Sequence, residues 1–157
     1  MSDGYKGLEE TIVYAIKNFP FYGHLLSAMN KQLDKKVAVA GVSITTRINL
    51  YINPDTFNPL PLPVRLGILL HECYHIVHMH IPRSKSVAKN FSKALNIAAD
   101  RAINEKLHHV SKDGQIRAVV PDKMKLSNGE TMSPVTKKNF AKNFPDAKDN
   151  ETMEYYY

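Results

Sequence analysis

The residues of this sequence best placed to do chemistry together are His71, Glu72 and His75, in the run His71-Glu72-Cys73-Tyr74-His75. On an α-helix, imidazoles four positions apart stand one turn apart on the same face, so one nitrogen from each can reach a single ion at about 2.0–2.1 Å. Glu72 lies about 100° round the helix from His71, beside the pair rather than between its members. Its carboxylate can reach a water next to the ion without taking a coordination position. That is an arrangement for hydrolysis: Zn²⁺ brings the pKa of the water towards about 7, and the glutamate accepts its proton and later gives it to a leaving group.

The helix that must carry these groups is written in Leu66 to His80, LGILLHECYHIVHMH. His71, His75, Ile68 and Val64 share one face, and Leu66, Leu69, Leu70, Cys73, Ile76 and Val77 share the other. The uninterrupted apolar flank, free of proline, argues against a chance occurrence of the HExxH pattern. Pro59, Pro61 and Pro63 make a stiff entry, with Pro63 in the first turn, and Pro82 disfavours helical geometry at Ile81. The spacing therefore predicts a helix from Pro63 to about His80, followed by a polar connection over Ser84 to Lys89.

Two histidines leave a catalytic zinc site one ligand short. The extended motif HExxHxxGxxH would need glycine at 78 and histidine at 81, where the chain has His78 and Ile81. His78 falls on the metal face but about 10.5 Å along the axis from His71, which suits a substrate-binding or supporting role. The remaining acids lie on a second predicted helix, Phe91 to His108, with Asn96, Asp100 and Asn104 four apart in one polar stripe and Leu95, Ala98, Ala99, Ala102 and Ile103 as apolar surface. Asp100 and Glu105 compete. The segment Ala102 to Glu105 superficially resembles the zinc-binding helix of thermolysin-like enzymes, but Glu105 is about 140° from Asp100 and can pair with Arg101. Asp100 lies among small residues that would let the two helices approach, and this geometry favours it.

The other elements supply the frame. Leu8, Ile12, Ala15, Ile16 and Phe19 give a helix over Leu8 to Phe19 that Pro20 stops, and Leu25, Leu26, Met29 and Leu33 extend a second helix from Tyr22 to Leu33, with His24 at its surface. Val37 to Ala40 and the alternating Arg47 to Asn53 read as part of two or three antiparallel strands, and Asn53-Pro54-Asp55 starts a short helical turn through Phe57. His108 and His109 read as a helix C-terminus. Lys112-Asp113-Gly114 and Ser127-Asn128-Gly129 are turn signals, and Ile116 to Val120 reads as a short strand. The expected fold class is α+β, mostly helical, with a small antiparallel sheet before the HExxH helix. The 157 residues form one domain in this reading, with a loop-rich part over 122–157, and the start of a helix at Glu151 suggests a natural chain that continues past Tyr157.

Composition narrows the setting. Hydrophobic residues make up 43% and charged residues 23%, an ordinary globular balance, and Cys73 alone cannot form an intrachain disulfide, which points to a reducing, cytoplasmic site. The N-terminal segment lacks the features of an export signal, and no apolar run is long enough to span a bilayer. The formal charge of +6 comes from scattered lysines without an aromatic and basic platform, so nucleic-acid binding is the weaker explanation of it.

Asn53-Pro54, His71-Glu72-x-x-His75-x4-His80-x-x-Arg83 and Asn96-Ile97-Ala98-Ala99-Asp100-x-x-Ile103-Asn104 together resemble the metallopeptidase domain often found next to a von Willebrand factor A-like domain in bacterial and phage proteins. The resemblance covers about Leu8 to Tyr155. It implies a zincin-like α+β fold, a Zn²⁺ site of His71, His75 and Asp100, Glu72 as catalytic base, and a peptide or protein substrate met in the cytoplasm, the host's if the chain is viral. His80, Arg83, Asn96 and Asn104 match further motif positions of unassigned role. His78, His80, Arg83 and Tyr51 are the candidates to stabilise the oxyanion, and the strand Arg47 to Asn53 is expected to align an extended substrate by edge pairing. The rival expectation is a catalytically silent protein that keeps the scaffold to bind a partner, such as a host protein.

Overall fold

The computed structural model describes residues 3–87, 93–107, 118–149 and 151–156. The predicted turn at Lys112 to Gly114, the pair His108 and His109, and the start of the Ile116 to Val120 strand lie outside the described residues. Ala118 to Val120 carry no strand.

Helix α1 (Lys6–Asn18) buries Leu8, Ile12 and Ala15 of the five periodic residues that predicted it, while Ile16 is exposed and Phe19 is buried just past its end. Pro20 ends α1 and also begins α2 (Pro20–Ala28), since proline at the first position has no N–H to leave unpaired. Helix α2 stops eight residues after Pro20 rather than running to Leu33. Met29 is extended, and Asn30–Leu33 is strand β1. Asn30 Nδ2 donates to Asn49 Oδ1 across 2.9 Å, an amide pair that matches the register Asn30 opposite Asn49. The i, i+4 spacing of Met29 and Leu33 imitated a helix, but Leu33 is only half-buried, at the far end of the strand.

Strands β2 (Ala40–Ile44) and β3 (Ile48–Ile52) complete a three-stranded sheet of order β1-β3-β2. The expected antiparallel sheet is in fact mixed, because β1 runs parallel to β3 while β2 runs antiparallel to it. Strand β3 is central: Leu50 and Ile52 enter the core, and both its edges are paired. The short helix α3 (Pro54–Phe57) follows as predicted, with Asn53 Oδ1 accepting from Asp55 N.

Helix α4 (Leu62–Val77) carries residues 71–75 and turns Leu66, Leu69, Leu70 and Cys73 into the main core. It is tied to α1 by the pair Arg65–Glu10 at 2.6 Å. It ends three residues before His80, at a break where Met79 adopts φ 53°, a left-handed conformation uncommon for a residue with a Cβ. The chain re-enters helix at once as α5 (His80–Val87), so the connection expected from Ser84 is helical as far as Val87. Pro82 falls in the first turn of α5, where its missing N–H costs no helical hydrogen bond.

Helix α6 (Lys93–Leu107) contributes Ile103 and Leu107 to the main core, while Leu95, Ala98 and Ala99 form a smaller cluster with Met153. The alanines expected to ease the approach to the HExxH helix thus serve the C-terminal segment. Beyond it, a hairpin of β4 (Met124–Lys125) and β5 (Thr131–Met132) turns through Gly129 at φ 85° and is pinned to α3 by Thr56 Oγ1 donating to Ser127 Oγ at 3.0 Å. Helices α7 (Lys137–Ala141) and α8 (Met153–Tyr156) close the described chain.

One contact sets the width of the space above α4. Val119 N donates to Pro63 O at 2.9 Å, and a Cβ on Gly67 would stand 2.2 Å from Val119 O. Gly67→Ala should therefore lower stability by about 1–3 kcal/mol despite alanine's better helix propensity. Gly41→Ala, where an added Cβ meets nothing within 4 Å, should stay within about 0.5 kcal/mol. Urea denaturation of the two variants checks the contrast.

Candidate metal centre

Helix α4 presents His71 and His75, and α6 crosses it so that Asp100 faces both. His71 Nε2 and His75 Nε2 are 3.0 Å apart, and Asp100 Oδ1 is 3.3 Å from His71 Nε2 and 3.2 Å from His75 Nε2. Three donors on one tetrahedral ion at about 2.0–2.1 Å would be separated by about 3.3 Å, so this triangle fits a zinc-sized cation. Asp100 Oδ1 is fully buried yet accepts no hydrogen bond among the described residues, although two ring nitrogens stand close by. A buried carboxylate oxygen without a bond is costly, and an ion at the shared point would satisfy it. Two imidazoles and one carboxylate also form a donor set that zinc accepts.

Glu105, the competing acid, is elsewhere. Its Oε2 accepts from Arg101 Nη1 at 2.8 Å and from the Tyr156 hydroxyl at 3.1 Å. Arg101 is buried, bonds Asp149 Oδ1 at 3.1 Å and lies 4.9 Å from the centre of the Tyr156 ring, so it locks α6 to the C-terminal segment.

The centre opens on a cleft of about 490 Å³. Its floor is α4 with Gly67, Ile68, His71, Glu72 and His75. One wall is Ala38 to Val42, which includes the start of the edge strand β2. The facing wall is made by Val119 to Pro121 and Met132 to Val135, and Asn96, Asp100 and Asn104 line it from α6. Among the described residues, Glu72 and Asp100 are the only carboxylates that line the cleft, and no lysine or arginine does.

The residues named from sequence divide sharply. Glu72 borders the cleft beside the triangle, and among the described residues no side chain hydrogen-bonds its carboxylate. Asn104 is buried between His71 and the wall: its Oδ1 is 2.7 Å from His71 Nδ1, and its Nδ2 donates to Val135 O at 3.0 Å. Asn96 is exposed on the lining, one turn before Asp100. The four oxyanion candidates are not on it. His78 stacks on Tyr74 and His80 behind the helix, and His80 is buried with its ring 5.5 Å from that of His75. Arg83 donates to His78 O and pairs with Glu154, while the Tyr51 hydroxyl meets Ser43 Oγ at 3.3 Å on the sheet. Nine residues from His71, His80 lies about 180° round even a straight helix, towards the core side, and it is buried as that period expects.

Burial disfavours charge on His71, but the close approach and negative charge of Asp100 outweigh this and raise the pKa to about 9. Burial pushes the Asp100 carboxyl up, and the two imidazoles close against it hold it well below the usual carboxylate range. Burial also lifts Glu72 above an ordinary glutamate, against the pull of His71 and His75, and so towards the range where a carboxylate is an effective base.

Two outcomes follow. Asp100→Asn should leave zinc in substoichiometric amounts after desalting, while Glu105→Gln retains about one ion per chain by elemental analysis, because only the first change alters the triangle. The raised His71 pKa contributes stability that is complete below pH 6.5 and is lost as pH rises through about 9. In excess chelator the melting temperature should fall across that window. The increment given by added zinc should grow over the same window, because zinc needs the imidazole without its proton.

Comparison with known proteins agrees with the geometry at the level of family. An uncharacterized protein of Thermotoga maritima is 31% identical over 103 residues, covering 62% of this chain and 26% of the relative, so the chain spans about a quarter of that longer protein. No solved structure matches the chain significantly. A family described as "Putative metallopeptidase domain" matches residues 6–140, and the chain belongs to that family.

Proposed function

We propose that this chain is a zinc-dependent peptidase of zincin-like architecture, with His71, His75 and Asp100 as metal ligands and Glu72 as general base. The observation that carries the reading is the bare Glu72 carboxylate at the edge of a cleft, beside three donors whose spacing suits one ion. Zinc held there would supply Lewis acidity, polarising the scissile carbonyl and making a water acidic near neutral pH. Glu72 takes the proton of the attacking water and returns it to the departing amide nitrogen. Its raised pKa helps it to hold that proton between the two transfers. Asn96, exposed on the lining, is the donor this reading assigns to the carbonyl oxygen in place of His78, His80, Arg83 and Tyr51.

The expected substrate strand, Arg47 to Asn53, cannot offer an edge, because β3 is paired on both sides. Strand β2 takes over this role. The bonds Asn53 N to Val39 O and Thr45 N to Arg47 O set the phase in which odd-numbered residues bond β3. Ala40 and Val42 then turn their backbone N–H and C=O groups away from β3. An extended peptide lying along β2 would add a strand there and bring a peptide bond over the centre. The apolar lining, with its two carboxylates, suits neutral segments of chain better than the acidic ones that the overall charge of +6 would attract. Among the described residues no helix is long and apolar enough to cross a membrane, and the buried free thiol of Cys73 is in keeping with a reducing cytoplasm.

Glu72→Gln decides between a catalyst and a silent scaffold. It should keep its zinc but lose about 10²- to 10⁴-fold in the rate of cleavage of a mixed peptide library followed by mass spectrometry. Equal cleavage by the variant and the wild type would remove Glu72 from the mechanism, and absence of cleavage by both would favour the scaffold.

A further inference from the structure

We infer that the backbone carbonyl of Val135, acting through the Asn104 side chain, determines which ring nitrogen of His71 is free to bind the metal. The inference rests on the reading of His71 as a ligand and extends it to a positioning residue and to the wall of the cleft.

An asparagine amide has one accepting oxygen and one donating NH₂, and its two orientations present opposite chemistry to a neighbour. A backbone carbonyl only accepts. Val135 O, 3.0 Å from Asn104 Nδ2, therefore holds the NH₂ group on the wall side. The oxygen is left facing His71 Nδ1 at 2.7 Å, so Nδ1 must carry the hydrogen of that bond. The lone pair of the neutral ring then sits on Nε2, which is the nitrogen that meets His75 and Asp100. With the amide turned over, the NH₂ group would call for a lone pair on Nδ1, and the neutral ring would direct an N–H at the centre instead. Asn104 is 3% exposed, so little competing water reaches it. Val135 belongs to the wall that faces β2, so the position of this wall and the readiness of the ligand are joined by two hydrogen bonds.

The test measures zinc affinity by competition with a chromogenic chelator, which requires no substrate. Asn104→Ala removes the acceptor and should weaken zinc binding 10- to 100-fold. Asn104→Asp still accepts from Nδ1 but cannot donate to Val135 O, and should bind zinc within about threefold of wild type or more tightly. Pro134→Gly loosens the wall without touching the centre. It should weaken zinc binding severalfold in wild type and leave the Asn104→Asp variant unaffected, because there the wall no longer sets the ring. Circular dichroism melting confirms that each variant is folded. Wild-type protein that takes up no zinc would defeat the metal reading and this inference together. Wild type that binds zinc while Asn104→Ala binds within twofold of it would overturn the Asn104 bridge alone. An equal effect of Pro134→Gly in both backgrounds, or none in either, would overturn the role of Val135.

Discussion

The structure depends on one half-buried carboxylate, its Oδ1 held against two imidazoles. Asp100 Oδ1 is shut away from solvent and bonded to nothing among the described residues, and an arrangement of that kind costs several kcal/mol unless opposite charge stands beside it. The tolerance is narrow. Turning α6 by one residue, about 100°, would bring Ala99 or Arg101 to the histidines in place of the acid. The contacts that hold α6 at the right rotation lie outside the centre. Ile103 and Leu107 sit in the main core, and Arg101 is clamped by Glu105, Asp149 and the Tyr156 ring on the opposite side.

The cleft follows from the same placement. Helix α4 is its floor, and the close approach of Val119 to Gly67 fixes one wall where any larger residue would collide. The other wall is the outer strand of a small mixed sheet. Because β1 covers one side of β3 and β2 the other, the edge beside the centre that is unpaired among the described residues belongs to β2. Asn104 then connects the floor to the wall at Val135, so the parts of the site are joined by hydrogen bonds as well as by packing.

Much of this was legible in the amino-acid order where one element carries its own signal. The HExxH spacing, the apolar flank of α4, the stripe of Asn96, Asp100 and Asn104, and the proline that ends α1 are local patterns, and each lies on a helix or at a boundary as its period predicts. What could not be read depends on partners distant in the chain. Asn30 to Leu33 looked helical because Met29 and Leu33 fit a helix period, and only pairing with β3 makes this segment a strand. The helix expected to run unbroken to about His80 stops at Val77, and the left-handed Met79 has no glycine to announce the break. Val135 and Ser133 reach the cleft through the hairpin and its anchor on Thr56, and no nearby motif marks them.

The most direct measurement is anomalous X-ray diffraction at the zinc absorption edge from crystals grown with zinc. The account predicts a single strong peak within about 2.0–2.2 Å of His71 Nε2, His75 Nε2 and Asp100 Oδ1, with Glu72 outside the coordination sphere and at least one position open towards the cleft. A peak that excludes Asp100, one that takes Glu72 as a ligand, or none between the histidines would contradict it.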